Sequence, residues 1–223
     1  MKSGAFFCIE GIEGSGKSSL ITALGKTLAD NRFCTVITRE PGGTIIGQSI
    51  RNLLLANNSK VKMSTLTELL LFFADRSQHL EEIILPSLKS GKTVLCDRYI
   101  YSTLAYQCYG RGLPRYHVDT MIDILKNYHS EIASILPLGV ILIDIDPETG
   151  LKRALNRASL DRFESEAITF HQNIRNGFLE LAKEDKERFL ILDGEKPLSE
   201  LCYEAYQFIC NKLSAINSTE YAT

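Results

Sequence analysis

Five short apolar runs, separated by longer amphipathic stretches, constrain the fold of this chain more than any other feature. The runs cover residues 5–10, 34–38, 93–97, 139–145 and 188–193. They are nearly continuous in apolar character, as strands are when both faces of a parallel sheet are buried. The stretches between them carry apolar residues at helical spacing. This alternation predicts an α/β fold of three layers, with a five-stranded parallel sheet and helices on both faces.

The amphipathic stretches predict helices over residues 17–30, 47–55, 65–88, 164–186 and 198–213. A further helix is predicted to begin at Asp146, because aspartate suits the N-cap and Pro147 suits the first helical position. No repeat or low-complexity linker interrupts the pattern, and 44% of the 223 residues are hydrophobic. We therefore predict one domain over residues 1–216 and a polar tail over residues 217–223.

Composition argues against several classes of protein. Lysine and arginine total 25 against 27 aspartates and glutamates, a formal charge of −2 that disfavours sequence-independent binding of nucleic acid. The apolar stretch near the middle contains Pro137 and is shorter than the ~20 residues of a membrane helix. The first apolar run is too short for a secretory signal. We expect a cytoplasmic protein that binds neither nucleic acid nor membrane.

The segment directly after the first predicted strand, G-I-E-G-S-G-K-S, fits the P-loop pattern G-x-x-x-x-G-K-[ST]. Its residues are Gly11, Ile12, Glu13, Gly14, Ser15, Gly16, Lys17 and Ser18. Backbone N–H groups of such a loop and the following helix N-terminus face phosphate, and Lys17 adds a full positive charge. Ser18 suits a Mg²⁺ ligand. A P-loop NTPase fold that binds Mg²⁺ and a nucleoside triphosphate is predicted, although motors, switches and kinases share this loop.

Charged residues also follow the second and third predicted strands. Asp97 can face the P-loop and hold Mg²⁺, and Arg98 can bind a phosphate through two N–H groups. Arg39 and Arg51, near the end of the second strand, suit a second anion. The structural alternatives are a surface ion pair for Asp97 and Arg98, and solvated charges around a Pro-Gly-Gly turn.

Two further groups of residues suggest a base pocket and a lid. Phe72 lies about 100° away from the apolar stripe that Phe73 continues, and Arg76 follows Phe72 by one helical turn, so that a ring and a guanidinium can meet a base. Arginines at positions 153, 157 and 162 crowd a short polar segment. A solvated helix face explains such charges in most proteins, but arginines that close over nucleotides neutralise charge during phosphoryl transfer. Residues 153–165 are therefore predicted to form a short arginine-rich lid.

Five motifs, in this order, resemble those of bacterial thymidylate kinases: G-I-E-G-S-G-K-S, R-E-P-G-G-T, F-F-A-D-R, D-R-Y-I-Y-S-T-L-A-Y-Q and L-D-R-F-E. The resemblance extends over residues 5–213. It implies transfer of a phosphoryl group from ATP to dTMP with Mg²⁺, a step in dTTP synthesis, by a homodimer.

The resemblance also implies roles for individual residues at the base and sugar. Phe72 would stack on thymine, and Arg76 would hydrogen-bond a ring carbonyl. Thr103 and Gln107 would meet the polar edge of the base. Tyr106 would crowd the position of a 2′-hydroxyl and so favour deoxyribose.

At the acceptor phosphate, the resemblance implies that Arg98 and Arg51 hold the anion and that Glu13 approaches the sugar or the metal. Glu40, from R-E-P-G-G-T, is placed with the dTMP-binding residues. Ser18 and Asp97 are the expected metal ligands.

The resemblance also indicates where the catalytic arginine lies. The eukaryotic type of this family has an arginine inside the P-loop, whereas this loop has none. The catalytic arginine is therefore expected in the lid, with Arg157 and Arg162 ahead of Arg153. Together with Lys17 and Arg98, these residues form the predicted catalytic set.

Two other functions stay open at this point. A deoxynucleoside kinase needs a carboxylate base for a neutral hydroxyl, and Glu13 or Glu40 is available, although the surplus of arginines favours a charged acceptor. A nucleotide-dependent switch would use Ser18 and Asp97 for Mg²⁺ but needs no base pocket. None of the four histidines falls in a motif, so they are predicted to be structural or surface residues.

Overall fold

The computed structural model describes residues 4–57, 62–129, 135–155 and 161–220. A wholly parallel sheet of five strands forms its centre. The strands are β1 (Ala5–Glu10), β2 (Thr35–Arg39), β3 (Thr93–Asp97), β4 (Gly139–Asp144) and β5 (Phe189–Asp193), in the spatial order β2-β3-β1-β4-β5. The predicted fold class and all five predicted strands are confirmed.

Helices cover both faces of this sheet. They are α1 (Lys17–Asp30), α2 (Ile45–Leu55), α3 (Thr65–His79), α4 (Leu85–Lys89), α5 (Ile100–Thr103), α6 (Arg115–Tyr128), α7 (Pro147–Leu155), α8 (Ile168–Glu184) and α9 (Leu198–Glu220). A π-helical turn, Leu80–Ile84, joins α3 to α4, and a second one, Leu104–Gly110, extends α5. The predicted helix over residues 65–88 is thus one continuous rod with a wider turn inside it.

The side chains of the strands alternate between two apolar clusters, one on each face of the sheet. In β1, Phe6 and Cys8 join the cluster beneath α3, α6 and α8, whereas Phe7 and Ile9 join the one beneath α1 and α9. Burial on both faces explains why the strands read as continuous apolar runs. No helix in the described ranges is long and apolar enough to cross a membrane.

Several helix boundaries differ from prediction. The helix predicted to begin at Asp146 is confirmed, since Asp146 Oδ1 accepts hydrogen bonds from the N–H groups of the first turn of α7. Helix α8 begins at Ile168, not at residue 164, because Asp161 Oδ1 captures the N–H groups of Phe163 and Glu164 in a turn. Helix α9 continues to Glu220, into the segment predicted to be a tail.

Helix α6 was not predicted, although its sequence carries a usable signal. Val118, Ile122 and Leu125 are buried and recur at helical spacing, and Pro114 precedes the first turn. The mean polarity of the segment concealed this stripe.

The order of the strands fixes where ligands can bind. Strand β1 lies between β3 and β4. The strands that follow it in the chain therefore lie first to one side of β1 (β2 and β3) and then to the other (β4 and β5). At such a switch point the loops at the carboxyl ends of the strands separate and leave a crevice. The P-loop follows β1 and therefore lies at the centre of this crevice.

Candidate active site

The P-loop curls back between β1 and α1 and packs closely against α7. Gly14 has a φ of 70°, and a Cβ there would lie 1.8 Å from the backbone oxygen of Gly150 in α7. Only glycine fits this position, because it tolerates the positive φ and has no Cβ to clash with Gly150. Gly16 caps α1 with a φ of 101°. The amide-lined loop that the sequence predicts is therefore present and is supported by the helix that leads into the predicted lid.

Lys17 is buried and folds over the loop. Its Nζ donates hydrogen bonds to the backbone oxygens of Gly11 (3.0 Å) and Ile12 (2.7 Å). Burial, with the nearby Arg98 guanidinium, lowers the pKa of Lys17 to about 8. An ammonium group so poorly solvated gains strongly from a phosphate anion.

A cavity of about 310 Å³ extends from the P-loop to α3. It brings together most of the predicted site residues that the structure describes. Those that line it are Glu13, Gly14, Lys17, Ser18, Glu40, Arg51, Phe72, Arg76, Asp97, Arg98, Thr103, Tyr106 and Gln107. The chain contributes them from six separate segments, so only the folded chain forms this cavity.

Ser18 and Asp97 meet at the phosphate end of the cavity. Ser18 Oγ donates a hydrogen bond to Asp97 Oδ2 at 3.3 Å. A hydroxyl and a carboxylate beside a P-loop are the hard oxygen donors that Mg²⁺ prefers. These two side chains therefore fit the predicted metal ligands.

Arg98 is held in place from several directions. It has a φ of 69°, a conformation that non-glycine residues rarely adopt. Its Nη2 donates to Glu13 Oε1 at 3.0 Å, its Nη1 donates to Ser102 Oγ at 3.1 Å, and its guanidinium lies over the Tyr106 ring at 4.9 Å. Glu10, beneath the same loop, accepts hydrogen bonds from the N–H groups of Tyr99 and Ser102. A strained backbone held this firmly is typical of a functional position.

Glu13 is linked to the opposite wall of the cavity. Its Oε1 accepts hydrogen bonds from Arg98 and from the Tyr106 hydroxyl, and His171 Nδ1 lies 3.4 Å from its Oε2. Burial alone would raise the pKa of Glu13, but Arg98, with Lys17 nearby, outweighs it and lowers the pKa to about 2. A carboxylate this strongly stabilised as an anion is a poor general base.

Three guanidinium groups lie near one another between the P-loop and α2. Arg39, Arg51 and Arg98 all line the cavity. Burial, together with the facing Arg39 and Arg98, lowers the pKa of Arg51, whose Nη1 donates to the Pro41 oxygen at 2.9 Å. Mutual repulsion among these guanidiniums is relieved by an anion, so this arrangement suits a second phosphate.

The far end of the cavity has an apolar wall and polar groups without partners. Phe72 is half-buried and faces the lid residue Phe163, with ring centroids 6.1 Å apart. Phe73 is fully buried in the core, as predicted. Arg76 Nη1 and Thr103 Oγ1 are buried without a hydrogen-bond partner. Buried polar atoms are nearly always hydrogen-bonded, so these two are available to a polar ligand.

Arg76 itself is only 1% exposed and is fixed by Glu40. Arg76 Nε donates to Glu40 Oε2 at 2.9 Å, and His79 Nδ1 lies 2.8 Å from Glu40 Oε1. Both carboxylate oxygens of Glu40 are thus occupied. Glu40 supports Arg76 from behind, which leaves it unsuited to act as the base of a deoxynucleoside kinase.

Two of the three predicted lid arginines, Arg153 and Arg162, do not line the cavity. Arg162 donates to Glu68 Oε2 at 2.6 Å and to the Leu54 oxygen at 2.8 Å, and Arg153 donates to the Gly194 oxygen at 2.9 Å. Arg157 lies outside the described residues. The part of the lid that does line the cavity is its turn, with Asp161, Phe163 and Glu164.

Sequence reasoning missed three residues around the base end. They are Glu68, Arg111 and Phe163. Glu68 is buried and accepts hydrogen bonds from Gln107, Arg111 and Arg162. Phe163 lines the cavity. In the sequence, Glu68 resembles any acid in a first helical turn, where it favours the helix dipole. Of the three, only Phe163 could have been predicted from the sequence, because it belongs to the L-D-R-F-E motif.

A P-loop faced by Asp97, with three neighbouring arginines and an aromatic-walled pocket beyond them, is the arrangement of a P-loop kinase that acts on nucleoside monophosphates. The sequence model described as "Thymidylate kinase" matches residues 9–204, and the chain belongs to that family. Members of this family phosphorylate dTMP to dTDP with ATP, in dTTP synthesis.

Individual relatives agree with the family assignment. The thymidylate kinase of Protochlamydia amoebophila is 41% identical over 213 residues, which cover 92% of each chain. That of Carboxydothermus hydrogenoformans is 42% identical and covers 92% of this chain and 97% of its own. The crystal structure of thymidylate kinase from Ehrlichia chaffeensis superposes with a TM-score of 0.71 at 31% identity, over 93% of this chain and 99% of the other.

Proposed function

We propose that this chain transfers the γ-phosphoryl group of ATP directly to the phosphate of dTMP within the cavity between the P-loop and α3. The observation that carries the proposal is the pair of buried, unpartnered groups, Arg76 Nη1 and Thr103 Oγ1, beside the half-buried Phe72. They offer polar contacts to one edge of a flat, largely apolar ring. Phe72 stacks on thymine, Arg76 donates to a ring carbonyl, and Thr103 and Gln107 meet the polar edge.

The acceptor phosphate binds among Arg98, Arg51 and Arg39. A phosphate dianion is already a competent nucleophile, so the reaction needs positioning and charge neutralisation, not a general base. The ion pair of Glu13 with Arg98 keeps that guanidinium pointing into the cavity. Tyr106, held by Glu13, forms the wall beside the sugar and disfavours a 2′-hydroxyl.

ATP binds with its phosphates in the P-loop, where Lys17 and the loop amides neutralise the transferred group. Ser18 and Asp97 would hold Mg²⁺, which when bound supplies positive charge to the β- and γ-phosphates. The hydrogen bond between Ser18 and Asp97 supports this assignment, because it keeps the two oxygen ligands close together.

The catalytic arginine remains part of the proposal. Of the three candidates, Arg162 is engaged by Glu68 and Arg153 by the Gly194 oxygen. We assign to Arg157 the main role in neutralising the transferred phosphoryl group, with Arg153 and Arg162 anchoring the two ends of the lid.

A homodimer is proposed as the assembly. Exposed apolar side chains recur on two adjacent helices, Ile46 and Leu53 on α2 and Leu66 and Leu70 on α3. Exposed apolar side chains on two helices that pack together favour burial against a second subunit. A cytoplasmic enzyme without nucleic acid partners is proposed as well, consistent with the formal charge of −2 and with free nucleotides as substrates.

The experiment that tests the reaction measures ADP release from Mg²⁺·ATP with dTMP, dUMP, dCMP, AMP and thymidine offered separately. We expect rapid turnover with dTMP, weaker turnover with dUMP and little with the others. Turnover of thymidine but not dTMP would indicate a deoxynucleoside kinase. ADP release that is independent of the acceptor would indicate a hydrolase or a switch.

The base pocket is tested by Phe72→Ala. Loss of stacking is expected to weaken dTMP binding by roughly 1–3 kcal/mol, the range measured for bases on aromatic side chains. Isothermal calorimetry of dTMP binding checks this, and the KM for ATP serves as the internal control. Wild-type affinity for dTMP in this variant would contradict the assignment of Phe72.

A further inference from the structure

A buried carboxylate, Glu68, lies behind the base end of the cavity and contacts three donors. Gln107 Nε2 lies 2.8 Å from its Oε1, Arg111 Nε lies 3.4 Å from the same oxygen, and Arg162 Nη1 lies 2.6 Å from its Oε2. Glu68 is only 1% exposed and does not itself line the cavity. It can therefore affect the substrate only through its neighbours.

The arginines determine which way the Gln107 amide can face. Each oxygen of Glu68 receives an arginine N–H, so both oxygens act as acceptors. An ionised carboxylate has no proton to donate, and the amide atom that faces it must be the NH₂ group. The carbonyl oxygen of Gln107 is then the polar atom left for the cavity that this residue lines.

The cavity thereby presents a donor and an acceptor to the base. Arg76 Nη1 is a donor without a partner, and Gln107 Oε1 is an acceptor. Thymine offers the complement, with an acceptor at O4 and a donor at N3. Cytosine reverses both positions, with an amino donor at C4 and an acceptor at N3.

We propose that Glu68 is a positioning residue that fixes the Gln107 amide with its oxygen toward the base, and that it thereby sets the preference for thymine over cytosine. The inference rests on the proposed base pocket. Glu68 contributes by excluding the alternative amide orientation, in which the NH₂ group would meet cytosine N3.

The test is Glu68→Gln, measured as the ratio of kcat/KM for dTMP to kcat/KM for dCMP. A glutamine at this position can donate or accept, so Gln107 can turn over and the ratio is expected to fall by about tenfold. The variant also weakens the hold on the lid through Arg162. That effect lowers kcat for both acceptors and cancels in the ratio.

Glu166→Gln is the matched control. Glu166 is the other carboxylate bound by Arg111, and it does not contact Gln107. Its neutralisation loosens the same lid but leaves the amide orientation intact. The ratio of dTMP to dCMP is expected to remain at the wild-type value.

The exchanged pair, Glu68→Gln with Gln107→Glu, is the second variant. It retains one carboxylate, one amide and the hydrogen bond between them, and it again turns an acceptor oxygen toward the base. We expect it to recover preference for dTMP over dCMP relative to the single variant, a recovery that a merely structural role for Glu68 does not predict.

Three results would overturn the inference: a wild-type ratio in Glu68→Gln, an exchanged pair that discriminates no better than the single variant, or loss of folding in both, which would make Glu68 structural. A wild-type enzyme without preference for dTMP over dCMP would instead contradict the proposed base pocket. The two failures are therefore distinguishable.

Discussion

At the scale of single residues, the site depends on arginines held by carboxylates. Glu13 fixes Arg98 and Glu40 fixes Arg76. In each case the carboxylate binds some of the N–H groups of the guanidinium and thereby fixes the orientation of the others. Pre-organised charge of this kind does not have to reorient when phosphate binds, which is why it is effective in phosphoryl transfer.

Arg98→Ala tests the acceptor site. The variant removes a charge-assisted contact to the dTMP phosphate, so the KM for dTMP is expected to rise by roughly 10- to 100-fold. The KM for ATP should change far less, because the P-loop remains intact. Steady-state kinetics with each substrate varied in turn separates the two. Equal effects on both values of KM would contradict the assignment.

Glu10 predicts a specific dependence of stability on pH. Burial raises the pKa of Glu10 from 4.5 to about 7, despite hydrogen bonds from Ser102 and Tyr99. Between these values the folded protein binds more protons than the unfolded one, so this group's stabilising contribution is complete below pH 4.5 and is lost as the pH rises through about 7.

Glu10→Gln removes that titration. The variant is expected to gain about 2–3 kcal/mol of unfolding free energy relative to the wild type between pH 5 and pH 8. Urea denaturation at a series of pH values measures the difference, in which other titrating groups cancel. Parallel curves for the two proteins would mean that Glu10 is ionised throughout.

At the scale of elements, two segments support the cavity in different ways. The turn over residues 161–167 contributes Phe163 to the base end, whereas α7 supports the P-loop through the contact between Gly150 and Gly14. The segment that joins α7 to this turn carries Arg157.

Arg157→Ala tests whether Arg157 is the arginine that neutralises the transferred phosphoryl group. Loss of the arginine that neutralises the transferred group is expected to lower kcat by about 10³-fold or more, with a small change in either KM. Arg153→Ala, four residues earlier in α7, is the matched control and is expected to have a much smaller effect. Similar losses in both variants would contradict the assignment of Arg157.

At the scale of the whole molecule, the apolar residues exposed on α2 and α3 predict a dimer. Leu66→Glu combined with Leu70→Glu places two charges on this surface, and the double variant is expected to sediment as a monomer. Both side chains are about half exposed in the single chain, so folding should be retained. A monomeric wild type would contradict the proposal.

The architecture was predictable because it depends on local periodicity. The five strands follow from runs of apolar residues, and α1 was predicted to its last residue, since a P-loop pattern and a stripe of leucines specify its start and its face. The short polar segments behaved differently. Helix α8 begins late because Asp161 captures backbone N–H groups, a competition that composition does not show.

The sequence by itself determined the P-loop, the parallel sheet and the family, because each depends on residues that are neighbours in the chain or on a repeat of fixed period. Only the tertiary structure decided that Arg162 binds Glu68 and that Glu40 supports Arg76. The partners in these contacts lie far apart in sequence. A buried charged side chain pairs with the opposite charge that the packing of the chain brings close to it. No local pattern encodes that choice.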